Sequence, residues 1–411
     1  ITASENLTNC WSHHRGDACP RCSKRNPGEV IAEVNASIQA GIERAGSDAR
    51  LIAWDWGWKD EWAPDAIAAL PLDVSHMSVS EWSLPIHRGG IESTVGEYSI
   101  SAVGPGPRAQ RHWEIARKRG LATLAKIQAN NTWELSAVPY IPAVANVAKH
   151  AAALRDTGVT GLMLGWTLGG HPSPNLEVVY ELGKKRTDGR LPSAEEALDT
   201  VAMRRYGSAF QEMVAAWNEI SDAFSEFPYN GGVVYNAPLQ MGPANPLWAE
   251  PTGYHATMVG IPYDDLDAWR AIYPPDVFIE QLEKTAAGFK TGAARMHAVI
   301  TDRTPQLYKE AILEESAIAE AAHIHFQSAA NQARFVLLRN RHAEAGLAEP
   351  EQEALQNEIK EVVQAEMRLA ERLYQLRDKD SRLGFEATNQ YFYMPLDLVE
   401  KVVNCDWLLK R

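Results

Sequence analysis

Nothing in the chain approaches a run of about 18 consecutive apolar residues, so no segment could span a bilayer as a helix. No Gly-rich phosphate loop follows any strand-like run, which counts against a dinucleotide-binding sheet. Positive charge is in the minority: 40 Lys and Arg face 53 Asp and Glu, for a formal net charge of -13. A surface that acidic repels phosphate backbones, which argues against nucleic acid as a partner. The acidity is spread along the chain and reads as solubility. Internal repeats and low-complexity tracts are lacking, as are an initiating Met and a signal peptide. The chain opens at Ile1 inside what reads as a strand, so the natural N-terminus is expected to lie upstream, and the compartment is left open.

What is present is an ordinary globular balance, with 45% hydrophobic and 23% charged residues. At 411 residues the chain calls for a large domain plus a second unit. Thirteen tryptophans stand out, many beside Asp, Glu, Asn or Gly at strand ends.

Apolar strands alternate with amphipathic helices over roughly residues 1–170. ITASE (1–5), LIAWDW (51–56), VSHMSV (74–79), LATLAKIQ (121–128) and GLMLGW (161–166) read as strands. Helical spacing covers Glu29–Ala45, 62–70, Arg108–Arg119 and Pro142–Asp156, with glycines closing three of these helices. Pro85–Pro107 reads as a long loop. Such alternation predicts a parallel sheet with right-handed crossovers. Every strand ends in large polar or aromatic residues, which favours an α/β fold of the eight-stranded (β/α)8 TIM-type barrel with its site at the C-terminal strand ends. The five visible strands would be the fourth to eighth.

Beyond Gly170 the pattern changes. Three regions are expected: a partial barrel over 1–175, a helical and irregular connector or rim over 176–300, and an α-helical C-terminal domain over 301–411. The rim reading rests on the Tyr-, Asn- and Gly-rich run from Tyr229 to Asp265, which could equally be a connector wrapped on the barrel. In the last region Leu355, Ile359, Val362, Leu369, Leu373 and Leu376 form a seam. The seam suits either a homodimer through the C-terminal helices or packing within one helical domain, and the second is preferred.

The strand tips carry Glu5 and Asn6, then Asp55 between Trp54, Trp56 and Trp58, then Glu81 and Trp82. Lys126, Gln128, Asn130, Trp133 and Glu134 follow, and Trp166 closes the series. Glycoside hydrolysis needs two carboxyl groups flanking the scissile bond. It also needs flat apolar faces for sugar rings, with amides or cations for the hydroxyls. Glu5, Asp55, Glu81 and Glu134 are therefore the catalytic candidates, with Glu5 first as general acid. Asn6, Trp56, Trp58, Trp82, Lys126, Gln128, Asn130, Trp133 and Trp166 are the candidates for binding a carbohydrate substrate.

This layout resembles the barrel glycoside hydrolases in two ways. In the retaining clan with its acid on the fourth strand and its nucleophile on the seventh, Glu5 and Glu134 would take those places and Trp166 the eighth tip. That clan has Asn before the acid, whereas here Ser4 precedes Glu5 and Asn6 follows it. The layout is also similar to the hexosaminidase-like barrels, which line the pocket with tryptophan and use the substrate's acetamido group as nucleophile. Their fourth strand carries an Asp-Glu pair, and here Ser4 stands in the Asp position. The resemblance covers about residues 1–170 and is architectural. The rival readings are a carbohydrate-binding barrel without catalysis and a zinc-dependent hydrolase.

Cys10, His13, His14, Cys19 and Cys22 form a second constellation, and Cys19 and Cys22 have the C-x2-C spacing of a zinc half-site. A structural zinc held by Cys10, His13 (or His14), Cys19 and Cys22 is the preferred reading, against a disulfide or free thiols. Cys405 is a further candidate ligand if the C-terminus folds back. No organic cofactor is expected.

Overall fold

The computed structural model describes residues 1–3, 10, 15–166, 169–236, 241–255, 263–386, 390–391 and 393–411. Four strands, β1 (Ile52–Trp54), β2 (Ser75–Val79), β5 (Thr123–Lys126) and β6 (Gly161–Met163), pair in parallel in the order β1-β2-β5-β6. Thr2 extends the series by one parallel bridge to Ala53, its amide donating to the Ile52 carbonyl at 2.9 Å. A helix lies in each crossover: α1 (Pro27–Arg44), α2 (Ala63–Ala69), α3 (Pro107–Arg119) and α4 (Val144–Asp156). The chain is thus α/β with a sequentially ordered parallel sheet, followed by a helical C-terminal region.

Local chemistry explains the boundaries. The Asn26 side chain accepts from the Gly28 and Glu29 amides and caps α1, while Pro27 occupies the first helical position. Gly28 lets α1 approach α2, because a Cβ there would sit 2.6 Å from the Ala66 nitrogen. Gly120 adopts φ 86° and closes α3. The loop expected over 85–107 instead contains an antiparallel hairpin, β3 (Pro85–Arg88) and β4 (Ile91–Thr94). Its turn is Gly89-Gly90, both at positive φ, which is the backbone a tight hairpin demands.

Beyond the sheet come α5 (Pro174–Leu182), α6 (Ala194–Tyr206), α7 (Phe210–Phe224), α8 (Gly231–Asn236), α9 (Leu266–Arg270), α10 (Pro275–Ala298), α11 (Gln306–His342) and α12 (Glu349–Lys379). A short hairpin, β7 (Phe385–Glu386) with β8 (Gln390–Tyr391), precedes α13 (Pro395–Leu409). The Tyr-, Asn- and Gly-rich run expected over Tyr229 to Asp265 holds the short helix α8, and α9 follows it directly. The helix α10 packs along both α7 and α11. Gly288 permits the α7 crossing, since a Cβ there would lie 1.9 Å from that of Ala223. Of the seam residues, Leu355, Val362, Leu373 and Leu376 are buried against their own chain, among α11, α12 and α13. Among the described residues no helix is long and apolar enough to cross a membrane.

The largest core cluster runs through both regions. It joins Ile100, Leu135, Tyr140 and Ile141 from the loops after the strands to Trp217, Phe224, Phe289 and Phe326 of the helices. Asn146 on α4 stitches the join, donating to the Ile100 and Ser221 carbonyls at 3.1 and 3.2 Å.

Candidate functional site

Asp55 follows β1 and is fully buried. His112 Nδ1 lies 2.6 Å from its Oδ2, His76 Nε2 3.3 Å from the same oxygen, and Arg108 Nη1 3.3 Å from Oδ1. The Ser78 hydroxyl also donates to it. Burial alone would raise the Asp55 pKa, but Arg108 and the two imidazoles outweigh it and hold the carboxyl well below its usual range. Asp55 is therefore a fixed anion with no proton to give. Arg108 continues the network to Asp60 and the Trp58 carbonyl, and its guanidinium lies 4.6 Å from the Trp82 ring centre. The network fastens α3 to the tips of β1 and β2.

Glu81, just past β2, has the opposite environment. It is also fully buried, yet no side chain donates to either carboxylate oxygen, and only the backbone amides of Glu81 and Ser99 are turned toward it. The nearest ion-pair candidate, His150 Nδ1, is 3.9 Å away, and burial lowers that imidazole to about 4, so it is neutral. Burial pushes the Glu81 carboxyl up to about 8, against a lowering pull from Lys126. Lys126 ends β5. Burial brings its ammonium down to about 7, while Glu81 and Glu97 pull the other way. Lys126 Nζ donates to the Ile127 carbonyl at 2.7 Å and to Gln128 Oε1 at 3.3 Å, and sits 4.3 Å from the Tyr98 ring centre. A carboxyl and an amine thus share a dry compartment in which both titrate near neutrality.

Glu134 is saturated by comparison. Its oxygens accept from the hydroxyls of Ser99 at 2.6 Å, Ser101 at 2.5 Å and Thr132 at 2.6 Å, and from the Ile100 amide at 2.7 Å. It clamps the segment that carries Glu97 and Tyr98. Glu97 is half-buried, accepting from the Trp56 indole N–H at 2.9 Å and from the Tyr235 hydroxyl. Tyr235 in turn packs against Trp133, with ring centres 5.9 Å apart. Trp166 is 45% exposed and stands edge-on to Trp54 at 5.3 Å, and Trp54 contacts Trp56 at 6.0 Å.

The structure gathers Trp56, Trp133, Trp166, Lys126, Glu81 and the Glu134 clamp around the strand tips and places the other candidates differently. Gln128 bonds the Trp166 backbone twice, its Nε2 to the carbonyl and its Oε1 to the amide, both at 2.9 Å. Asn130 donates to the Gly169 and His171 carbonyls and accepts from Ser173. Both amides hold the loop after β6. Trp58 packs with Trp62 in the separate core between α1, α2 and the sheet. Trp82 lies under Arg108. Glu5, Asn6, His13 and His14 lie outside the described residues. Glu97, Tyr98, His150 and the pair His76 and His112 had no place in the sequence reading. The adjacent acid and aromatic at 97–98 were the available signal. Tyr235 belongs to the stretch read as a rim, and its bond to Glu97 brings that part of it over the tips.

Two groups of side chains have metal-ligand proximity. The ligand atoms of Asp55, His76 and His112 lie within 4.8 Å of one another, as do the sulfurs of Cys10, Cys19 and Cys22. In the first group Arg108 already places a positive charge 3.3 Å from Asp55 Oδ1, and all three residues are buried. In the second the Cys22 amide points at Cys19 Sγ across 3.4 Å. The Cys22 and Arg21 amides lower the Cys19 thiol to about 7, while hydrogen bonding to Cys19 and Cys22 raises Cys10 to about 11. Cys405 is buried far from them, among Leu247, Phe335, Val362 and Val363, so it is no ligand of that group.

No protein-family model, curated protein or solved structure matches the chain.

Proposed function

We propose that the chain forms part of a (β/α)8-type barrel glycosidase, with Glu81 as the proton donor at the tip of β2. The observation that carries this reading is a fully buried carboxyl with no side-chain donor, raised to about 8 against the pull of a lysine that sits 4.3 Å from the Tyr98 ring centre. An acid that donates to a glycosidic oxygen must hold its proton near neutrality, and an apolar enclosure is how a glutamate does so. Trp56, Trp133, Trp166 and Tyr235 supply faces for sugar rings, and Glu97 supplies acceptors for hydroxyls. Glu5, the first acid in the sequence, remains the candidate second carboxylate. Glu81 has no solvent-accessible surface, so a substrate can reach it only if the residues that cover it move aside.

The same enclosure favours a second reading, a carbohydrate-binding barrel without catalysis. Hydrolysis of a panel of aryl glycosides, amino sugars included, by wild type and Glu81→Gln separates the two. Under the first reading the variant loses activity by orders of magnitude on poor leaving groups and far less on activated ones. Saccharide binding with no turnover of any aryl glycoside by wild type supports the second. Equal hydrolysis by wild type and variant removes Glu81 from the chemistry.

A further inference from the structure

Residues 15–26 fold without a core. Gly16 is their only buried residue, and the 3-10 turn Cys22–Lys24 buries nothing. The segment nevertheless makes a defined set of tight turns. The Cys19 amide donates to the Gly16 carbonyl at 3.2 Å, the Ser23 amide to the Cys19 carbonyl at 3.0 Å, and the Arg25 amide to the Cys22 carbonyl at 3.0 Å. Fixing a dozen residues costs on the order of 1–2 kcal/mol each in backbone entropy. Exposed turns do not repay that, so small coreless units rely on disulfides or metals. None of the cysteines is in a disulfide.

Three thiols converge where the core is missing. Cys10, Cys19 and Cys22 approach within 4.8 Å of one another, all partly solvent-accessible. Thiols gain little from one another as neutral groups, whereas three thiolates around one divalent cation form a strong, directional cluster. The amide of Cys22 aimed at Cys19 Sγ is what a bound thiolate needs, since it offsets ligand charge and fixes the sulfur's direction. An odd number of thiols also leaves one unmatched in any disulfide scheme.

We propose that Cys10, Cys19 and Cys22 bind one structural Zn2+ through their three thiolates and that the ion orders this segment. On binding, each thiol gives up its proton to solvent and its sulfur lone pair to the ion, with no change of oxidation state. The metal does no chemistry on a substrate. It staples the coreless turns of residues 15–26 to Cys10.

The test is metal analysis of the purified protein, wild type and Cys22→Ser, with Cys405→Ser as control. The expected result is about one zinc per chain in wild type and in Cys405→Ser, lost in Cys22→Ser. Replacing zinc by Co2+ should give the intense sulfur-to-cobalt absorption of a thiolate-rich tetrahedral site. Treatment with a strong chelator should expose residues 10–26 to proteolysis while the far-ultraviolet circular dichroism stays near that of the native chain. Metal-free wild type that does not take up Co2+ overturns the proposal. So does a Cys19–Cys22 disulfide found by mass spectrometry without reductant. All these readouts are independent of glycoside hydrolysis, so the zinc proposal and the glycosidase proposal can fail separately.

Discussion

Both halves of the molecule bury ionisable groups, but they treat them differently. In the helical half Lys401 and Glu366 are fully buried 2.8 Å apart. Glu366 also accepts from Ser328 at 2.8 Å and Asn331 at 3.0 Å, and Lys401 donates to the Asn245 carbonyl at 2.6 Å. Glu315 accepts from the Tyr140 hydroxyl and, at 3.1 Å, from the Trp217 indole. At the strand tips Glu134 is as well served, Asp55 is held by His112, Ser78 and Arg108, and Glu81 has no side-chain donor on either oxygen. A buried charge with a full set of partners is part of the architecture. One without partners destabilises the fold, and such groups concentrate at working sites.

The largest expected effect that would sharpen this contrast is on turnover. Glu81→Gln should lower hydrolysis of unactivated glycosides by about 10²–10⁴-fold, measured as kcat/KM across a leaving-group series. It should leave the thermal midpoint unchanged or higher, because an amide is cheaper to enclose than a carboxyl. A lowered midpoint would mean that Glu81 is a structural acid like the others.

In the helical half, Lys401→Ala should destabilise by about 3–5 kcal/mol, because it strands Glu366 in the core. Urea titration followed by circular dichroism reads this directly. A loss below about 1 kcal/mol would show that the pair behaves as if exposed.

The pH dependence separates the two halves next. The Glu81 carboxyl is raised in the folded state from 4.5 to about 8. Its contribution to stability is complete below the unfolded value and is lost as pH climbs through the folded one. Wild type should therefore lose stability relative to Glu81→Gln between pH 4.5 and about 8, by up to about 1.4 kcal/mol per pH unit. Lys126, depressed from 10.5 to about 7, works in the opposite sense, its contribution fading as pH falls from 10.5 through 7. Parallel curves for wild type and variant across that range would contradict the buried, unpartnered carboxyl.

Smaller effects belong to the clamp and the rim. Glu134→Gln keeps the shape but turns one acceptor oxygen into an amide donor, depriving either the Ser99 and Ser101 hydroxyls or the Ile100 amide and Thr132 hydroxyl of their acceptor, and should cost about 1–3 kcal/mol. Hydrogen exchange at residues 99–102 should rise with it. Tyr235→Phe removes one bond to the half-buried Glu97 and should cost about 1 kcal/mol or less, visible as a few-fold weaker saccharide binding.

The parallel strands and their crossover helices were legible because each is a continuous run with one dominant period, and Gly120 and Gly158 marked helix ends that the backbone confirms at φ 86° and 80°. The β3–β4 hairpin was hidden by its short strands in a stretch dense in Gly and Pro, where a loop is the default reading. At the site, residue type pointed to the tips but could not rank the acids. What distinguishes Glu134 from Glu81 is donors at Ser99 and Ser101, more than thirty positions away from Glu134 in sequence. Gln128 and Asn130 looked like sugar-binding amides, and only the fold shows them engaged by the backbone after β6. Trp58 and Trp56 are two residues apart, yet one is core and the other faces Glu97.

The core that runs unbroken from Ile100 and Tyr140 to Phe289 and Phe326, with Asn146 at its seam, bears on how this gene could be divided. A cut near residue 175 would not release two finished modules. Each product would carry an apolar face shaped to the other, and each alone would be prone to aggregate. Made together in one cell, the two fragments should find each other and reassemble. Recombination that exchanges either the sheet or the helices for an unrelated unit would have to rebuild that shared face first.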